Sequence, residues 1–224
     1  MASVGVEWVE DYNGLRGNLS NTNAQASGFS NTLIATRAFN WGDDLAWDQD
    51  FEQAGKGSPS SGTDTTWIDS VEIAFYSGHG SPGRFTFGVK IDDALAKHAE
   101  ISWGEKRLNW IALDACDVLA RDGVFDRWGW PVFHGLHMIC GFDTTTSDEA
   151  HRGRIFATYL NAGWTVREAW IRACQDTEGS DTRWAYLRSG AADTDTFNDH
   201  WFGRGRVSPD PTSPTILFYA RGNC

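Results

Sequence analysis

The sequence predicts one α/β domain built on a mostly parallel sheet with helices on both faces. Three short apolar runs carry the prediction: residues 71–76 (VEIAFY), 108–113 (LNWIAL) and 136–140 (LHMIC), each bounded by polar or glycine-containing turns. The intervals between them space their apolar residues as helices do, and parallel strands need crossover connections of about that length. At 224 residues, with no internal repeat and no long linker, the chain reads as a single domain over 1–224.

Taken in order, Val4, Val6, Trp8 and Asp11 alternate as an opening strand, followed by a Gly/Asn-rich turn region at 13–23. Phe29, Leu33 and Ala38 fit one face of a helix ending near Asn40, and residues 55–62 (GKGSPSSG) read as a loop. After the first apolar run, Ile91, Leu95 and Ala99 predict a helix over 91–99. After the second, Val118, Leu119, Phe125 and Trp128 predict one over 117–128. The third run is followed by apolar segments at 155–160 and 166–174 joined by Asn161-Ala-Gly163, and 184–187 (WAYL) and 216–219 (ILFY) read as late strands.

The 19 Lys and Arg stand against 30 Asp and Glu, a net charge of −11, and no basic run exists to offset it. A phosphate backbone would be repelled, so nucleic acid is not an expected partner. Residues 1–20 contain Glu7, Glu10, Asp11 and Arg16, without the basic start and apolar stretch of a signal peptide. No segment approaches the roughly 20 apolar residues of a membrane helix. The expected location is cytoplasmic, with no membrane partner. Cys116, Cys140, Cys174 and Cys224 are far apart without CxxC spacing, and are expected to be free thiols.

Ligands of open α/β sheets bind beyond the carboxyl ends of the strands. There the first run ends in Ser77-Gly78-His79-Gly80 and the second in Asp114-Ala115-Cys116-Asp117. Neighbouring strands lie roughly 5 Å apart, which would bring His79 and Cys116 to one rim within a substrate's width. A thiolate is the attacking species and an imidazole can take its proton, so the pair suits acyl transfer. A helix opening at Asp117 would favour the thiolate through its dipole. The glycines flanking His79 allow close backbone approach, and the amides of Gly80 and Cys116 could receive an oxyanion. Taken singly, a Cys after an apolar run is most often core and a Gly-His-Gly most often a turn; placement at two consecutive strand ends favours the joint reading.

These motifs, Phe75-Tyr76-Ser77-Gly78-His79-Gly80 and Ile111-Ala112-Leu113-Asp114-Ala115-Cys116, resemble those of the caspase-like cysteine peptidases of clan CD. Downstream, Gly141-Phe142-Asp143-Thr144, residues 155–160 (IFATYL) and 165–170 (TVREAW) are similar to the CHAT and separase branches. The resemblance spans roughly 68–187. It implies a three-layer caspase-like fold, a His79/Cys116 dyad acting through a thioester, an oxyanion site at Gly80 and Cys116, and Asp143 in a pocket for a basic side chain. Cys116 is followed by Asp117 where caspases have Arg-Gly, so aspartate specificity is not implied. The first 65 residues match no part of the pattern.

The expected activity is therefore a cysteine-dependent, cofactor-free hydrolase of a peptide or protein, cleaving after a basic residue. Two alternatives stand beside it: hydrolysis or cyclisation of a nonpeptide acyl group in small-molecule biosynthesis, and a binding module without turnover. Asp114, Asp117, Asp143 and Asp148 could attract a cationic group or cap helices, with capping favoured for Asp148. His134 and His137 form an HxxH whose rings would point to opposite faces of a strand, a poor metal site. The carboxylates of 43–52 lack calcium-loop spacing and read as a solvated loop. Cys140 and Cys174 are expected in the core, as are Trp103, Trp128 and Trp130 in preference to a pocket.

Overall fold

A computed structural model describes residues 1–57, 61–91, 93–191 and 194–224. Strand β1 (Ser3–Trp8) leads through helix α1 (Thr22–Thr32) to β2 (Thr36–Gly42). Strand β3 (Ile73–Ser77) precedes three short strands, β4 (Gly80–Ser81), β5 (Arg84–Thr86) and β6 (Leu95–Lys97). Next come β7 (Trp110–Asp114), α2 (Val124–Trp128), β8 (Met138–Phe142), α3 (Arg152–Asn161) and α4 (Val166–Thr177). The chain closes with β9 (Arg183–Ala191), β10 (Thr194–Asp195) and β11 (Ile216–Asn223).

The main sheet has eight strands in the order β10-β9-β8-β7-β3-β1-β2, with β11 also paired to β9. Strands β2, β1, β3, β7 and β8 run parallel, and β9 turns antiparallel against β8. The central strands are buried on both faces, which is why they read as continuous apolar runs. Alternation still sorts their side chains: Ile73 and Phe75 of β3 join one core with α1, α3 and α4, while Ala74 and Tyr76 join the other.

The two faces are covered differently. Helices α1, α3 and α4 pack on one, where Phe29 stacks on Phe75 and Phe156 and Trp170 meets Phe142 edge-on. The other face carries one helix of five residues, the small antiparallel sheet β4-β5-β6 and an aromatic cluster of Phe51, Tyr76, Phe85, Phe87 and Trp103. Three layers are present, but helices dominate only one outer layer.

Three predicted helices are corrected. Residues 91–99 hold β6 and a 3-10 turn (His98–Glu100), because Ala94 has φ +63° and Leu95 N–H turns to Asp48; residue 92 lies outside the described residues. Residues 117–128 begin as turns, with Asp117 at φ +57° and Gly123 at φ +72°, so helix forms only from Val124. The helix expected over 29–40 sits earlier as α1, and its latter half is the unpredicted edge strand β2. The chain extends at Leu33 (ψ 133°), and residues 36–42 then pair with β1 as a parallel edge strand. Of the loop read at 55–62, residues 58–60 also lie outside the described residues.

Cys140 and Cys174 are buried, and all four cysteines are free. Trp103 and Trp128 stack in the core, whereas Trp130 is exposed, contrary to its predicted place. Among the described residues, no helix is long and apolar enough to cross a membrane.

Candidate active site

Strands β3 and β7 pair with Ser77 opposite Asp114, so their carboxyl ends are level. His79 and Cys116 each lie two residues beyond that last pair, and Gly78 N–H donates to Asp114 O at 3.2 Å. Both side chains line one cavity of about 110 Å³, together with Asp114, Asp148, Gln25 and Thr146. Gly80 packs against the backbone of Cys116: a Cβ there would come 2.7 Å from Cys116 O and 2.8 Å from the Ala115 Cβ. A side chain at position 80 would push the two strand-end loops apart, so glycine is what lets their backbones touch.

His79 is held from three directions. Its N–H donates to the Tyr12 hydroxyl at 2.7 Å, its ring lies 4.6 Å from the Tyr12 ring, and its Nε2 is 2.7 Å from Gly17 O. A carbonyl only accepts, so Nε2 carries the proton and Nδ1 is left as the acceptor. Tyr12 is itself buried just beyond the end of β1, which carries it to the same rim.

Cys116 does not open a helix, so the expected dipole contribution is withdrawn: residues 116–119 form turns. The thiol exchanges contacts with Thr146, whose N–H points at Sγ at 3.4 Å and whose O lies 3.6 Å away. Burial pushes the thiol above its ordinary range, Thr146 N–H opposes this, and Asp117, Asp114 and Glu178 add to the rise. Cys116 therefore rests as a neutral thiol at pH 7.

The carboxylates divide. Asp114 is 3 % exposed and is raised to about 6 by burial, against the pull of Arg152. One of its oxygens pairs with the wholly buried Arg152, which also pairs with Glu178; its Oδ2 has no hydrogen-bond partner among the described residues. Two carboxylates around one guanidinium leave the cluster net negative. Asp148 accepts from Ser20 N–H at 2.7 Å and Asn21 N–H at 3.2 Å, so it latches the start of α1 from across the cavity, not the start of its own neighbouring helix. Asp143 lies outside this cavity. It accepts from Arg121 N–H, pairs with Arg221, and borders a separate depression with Arg121, Asp122 and Arg183.

His79 also borders a wider groove of about 380 Å³ with Gly80, Arg16 and Arg84. The two hollows meet at the imidazole, one rich in carboxylate and the other flanked by guanidinium. Among the residues that complete the site, Tyr12 carried a readable signal, since it too follows a strand. Gly17 acts through its backbone, and Arg152 reaches the site from α3, where Gly153 lets α3 approach the α1 carbonyl of Gln25 closely. Neither has a local sequence signature.

The HxxH histidines do not meet at a metal. His134 is exposed, whereas His137 is buried, with Nδ1 2.6 Å from Asp199 and Nε2 3.2 Å from Asp210. The acidic stretch is largely structural: Asp43 accepts from the N–H groups of Glu10 and Asp11, and Asp50 accepts from Thr63. It is not the solvated loop expected, since Asp48, Asp50 and Glu52 are buried.

The profile of the DUF6345 family, described as a domain of unknown function, matches residues 6–222, and the chain belongs to that family. No curated protein matches the chain.

Proposed function

We propose that this DUF6345 domain is a caspase-like cysteine hydrolase that cleaves a peptide or related amide bond through a thioester on Cys116. The observation that carries the reading is the level exit of His79 and Cys116 from paired strands into one cavity, with the Nε2 side of the imidazole tied to Gly17. The tether supports His79 as a base because it leaves Nδ1 with its lone pair and fixes the plane of the ring.

In this reading Sγ attacks the carbonyl carbon as its proton passes to His79 Nδ1. The carbonyl oxygen takes up the negative charge facing the amides of Gly80 and Cys116. Collapse breaks the C–N bond, and His79 returns the proton to the departing nitrogen. Water then attacks the thioester with His79 as base, releasing the acid and restoring the thiol. A neutral resting Cys116 makes proton transfer concurrent with attack, so His79 is needed for the first step itself.

Asp114, with its unpartnered Oδ2, and the excess of carboxylate over Arg152 support a cationic group on the acyl side of the bond. Asp143 is too far round the rim to share that role, since it faces its own arginines. The small volume of the cavity, about 110 Å³, accepts the end of one side chain or a compact acyl group. That favours keeping a nonpeptide acyl substrate as the second reading.

The test is covalent labelling with peptidyl acyloxymethyl ketones carrying Arg, Lys, Asp or Leu next to the warhead, read by peptide mass spectrometry. Selective labelling of Cys116 by the Arg or Lys reagent supports the peptidase. Labelling of Cys116 only by a simple acyl thioester supports the second reading. Cys116 reacting no faster than the buried Cys140 and Cys174 with any reagent would sink both.

A further inference from the structure

The carboxyl end of edge strand β2 runs into a second kind of hollow, separate from the His79 rim. It measures about 280 Å³ and is lined by Trp41, Leu45, Trp47, Trp67 and Asp50. Trp41 and Trp67 form two walls of a corner, with ring centroids 5.7 Å apart and planes at 86°. Phe39 braces that corner from behind, stacked on Trp41 and edge-on to Trp67. Trp47 supplies a third indole, and its ring N–H is already spent on Asp44 O at 2.9 Å.

The one ionisable group in this lining is Asp50, which is 2 % exposed and accepts from Thr63 Oγ1 at 2.9 Å. Behind it, on β1, stands the fully buried Glu7, turned to the same face of the sheet. Burial raises both acids, Glu7 well above the usual carboxylate range and Asp50 to about 6; Asp50 raises Glu7 further, whereas the hydrogen bond with Glu7 pulls Asp50 down. Glu7 is the more strongly raised of the two, so Asp50 is the member of the pair that carries a negative charge more readily.

Three indoles, one with its ring N–H already bonded, and one carboxylate make a lining poor in hydrogen-bonding groups, and that narrows the ligand. A sugar or a primary ammonium would leave its hydroxyls or N–H groups short of partners against this lining. An anion would meet Asp50 and the negative faces of the rings. A quaternary ammonium needs no hydrogen bonds, is weakly hydrated, and is attracted both by the ring faces and by the carboxylate. We infer that Trp41, Trp47, Trp67 and Asp50 form an aromatic cage for a trimethylammonium group, independent of the chemistry at Cys116.

The test is a calorimetric and ligand-observed NMR titration of the whole chain with choline, with acetyl-trimethyllysine amide, and with 3,3-dimethylbutan-1-ol, the uncharged isostere of choline. The cage predicts that at least one cation binds about tenfold or more tightly than the isostere. The tighter of the two cations tells a choline-type source from a methylated peptide. Trp47→Ala and Asp50→Asn should each weaken binding about tenfold. Trp47 is partly exposed, so its variant should fold, which an unchanged melting temperature would verify. Equal binding of the isostere would reduce the cage to an apolar hollow and overturn the inference. So would failure of both cations to bind, or binding that survives both substitutions.

Discussion

Two histidines stand at opposite ends of the parallel strands, and their surroundings differ in one respect that decides their use. His137 precedes β8 at the amino end. Both of its ring nitrogens face carboxylates, Asp199 and Asp210, and Asn109 closes the group. His79 follows β3 at the carboxyl end, where Nε2 is tied to a backbone carbonyl and the residue lines a cavity shared with a thiol. The first ring is saturated and buried, so it stabilises; the second has a hydrogen-bond partner on one nitrogen only among the described residues. Residue type alone does not separate these roles. What separates them is whether the surrounding structure leaves one nitrogen uncommitted.

The largest effect expected from that contrast falls on reactivity. His79→Ala should slow acyloxymethyl ketone labelling of Cys116 by about 10²–10⁴-fold, the usual range for general acid–base assistance, whereas His137→Gln should leave the rate within a few fold. Equal losses in both variants would erase the distinction.

The next largest concerns Arg152, among the described residues the one cation paired with Asp114 and Glu178 beneath the cavity. Arg152→Met strands two buried acids and should cost about 3–5 kcal/mol in urea unfolding. A cost below about 1 kcal/mol would show that water reaches the cluster.

For His137 the signature is the dependence of stability on pH. Burial lowers its affinity for a proton, but Asp199 and Asp210 outweigh burial and raise it. A raised folded value means that the contribution is fully present below the unfolded value of about 6.5 and fades as pH climbs through the folded value. Unfolding free energy should thus fall over that range by about 1.5–3 kcal/mol, the worth of a charge-assisted hydrogen bond. His137→Gln should give a flat line there; a wild-type curve that rises with pH would reverse the assignment.

The smallest effect tests the latch that frames the rim shared by His79 and Cys116. Asp148→Ala removes the acceptor for Ser20 and Asn21 N–H at the mouth of α1 and should cost about 1 kcal/mol, as losing a helix cap does. Hydrogen exchange should quicken at residues 20–25 and not around His137.

How much of this was legible beforehand follows from burial. Strands β3, β7 and β8 could be read because both their faces are covered, which leaves unbroken apolar runs. Edge strand β2 could not, since five of its seven residues are polar, glycine or alanine, and α1 hides because Thr22, Gln25 and Ser30 are among its buried positions. The helix expected after Cys116 fails on backbone geometry, as Asp117 adopts a left-handed turn that composition does not announce. His79, Cys116 and Asp114 were found by position at strand ends. The Gly17 carbonyl and the Arg152 guanidinium arrive through tertiary packing, and the three indoles of the β2 cavity come from irregular chain and a strand end whose convergence no periodicity records.

The neutral resting state of Cys116 also bears on redox chemistry. Peroxide attacks the thiolate, so a thiol held protonated by burial and by neighbouring acids climbs the ladder to sulfenic acid slowly. The surroundings that hold the thiol protonated thus act as built-in protection of the sulfur against oxidation.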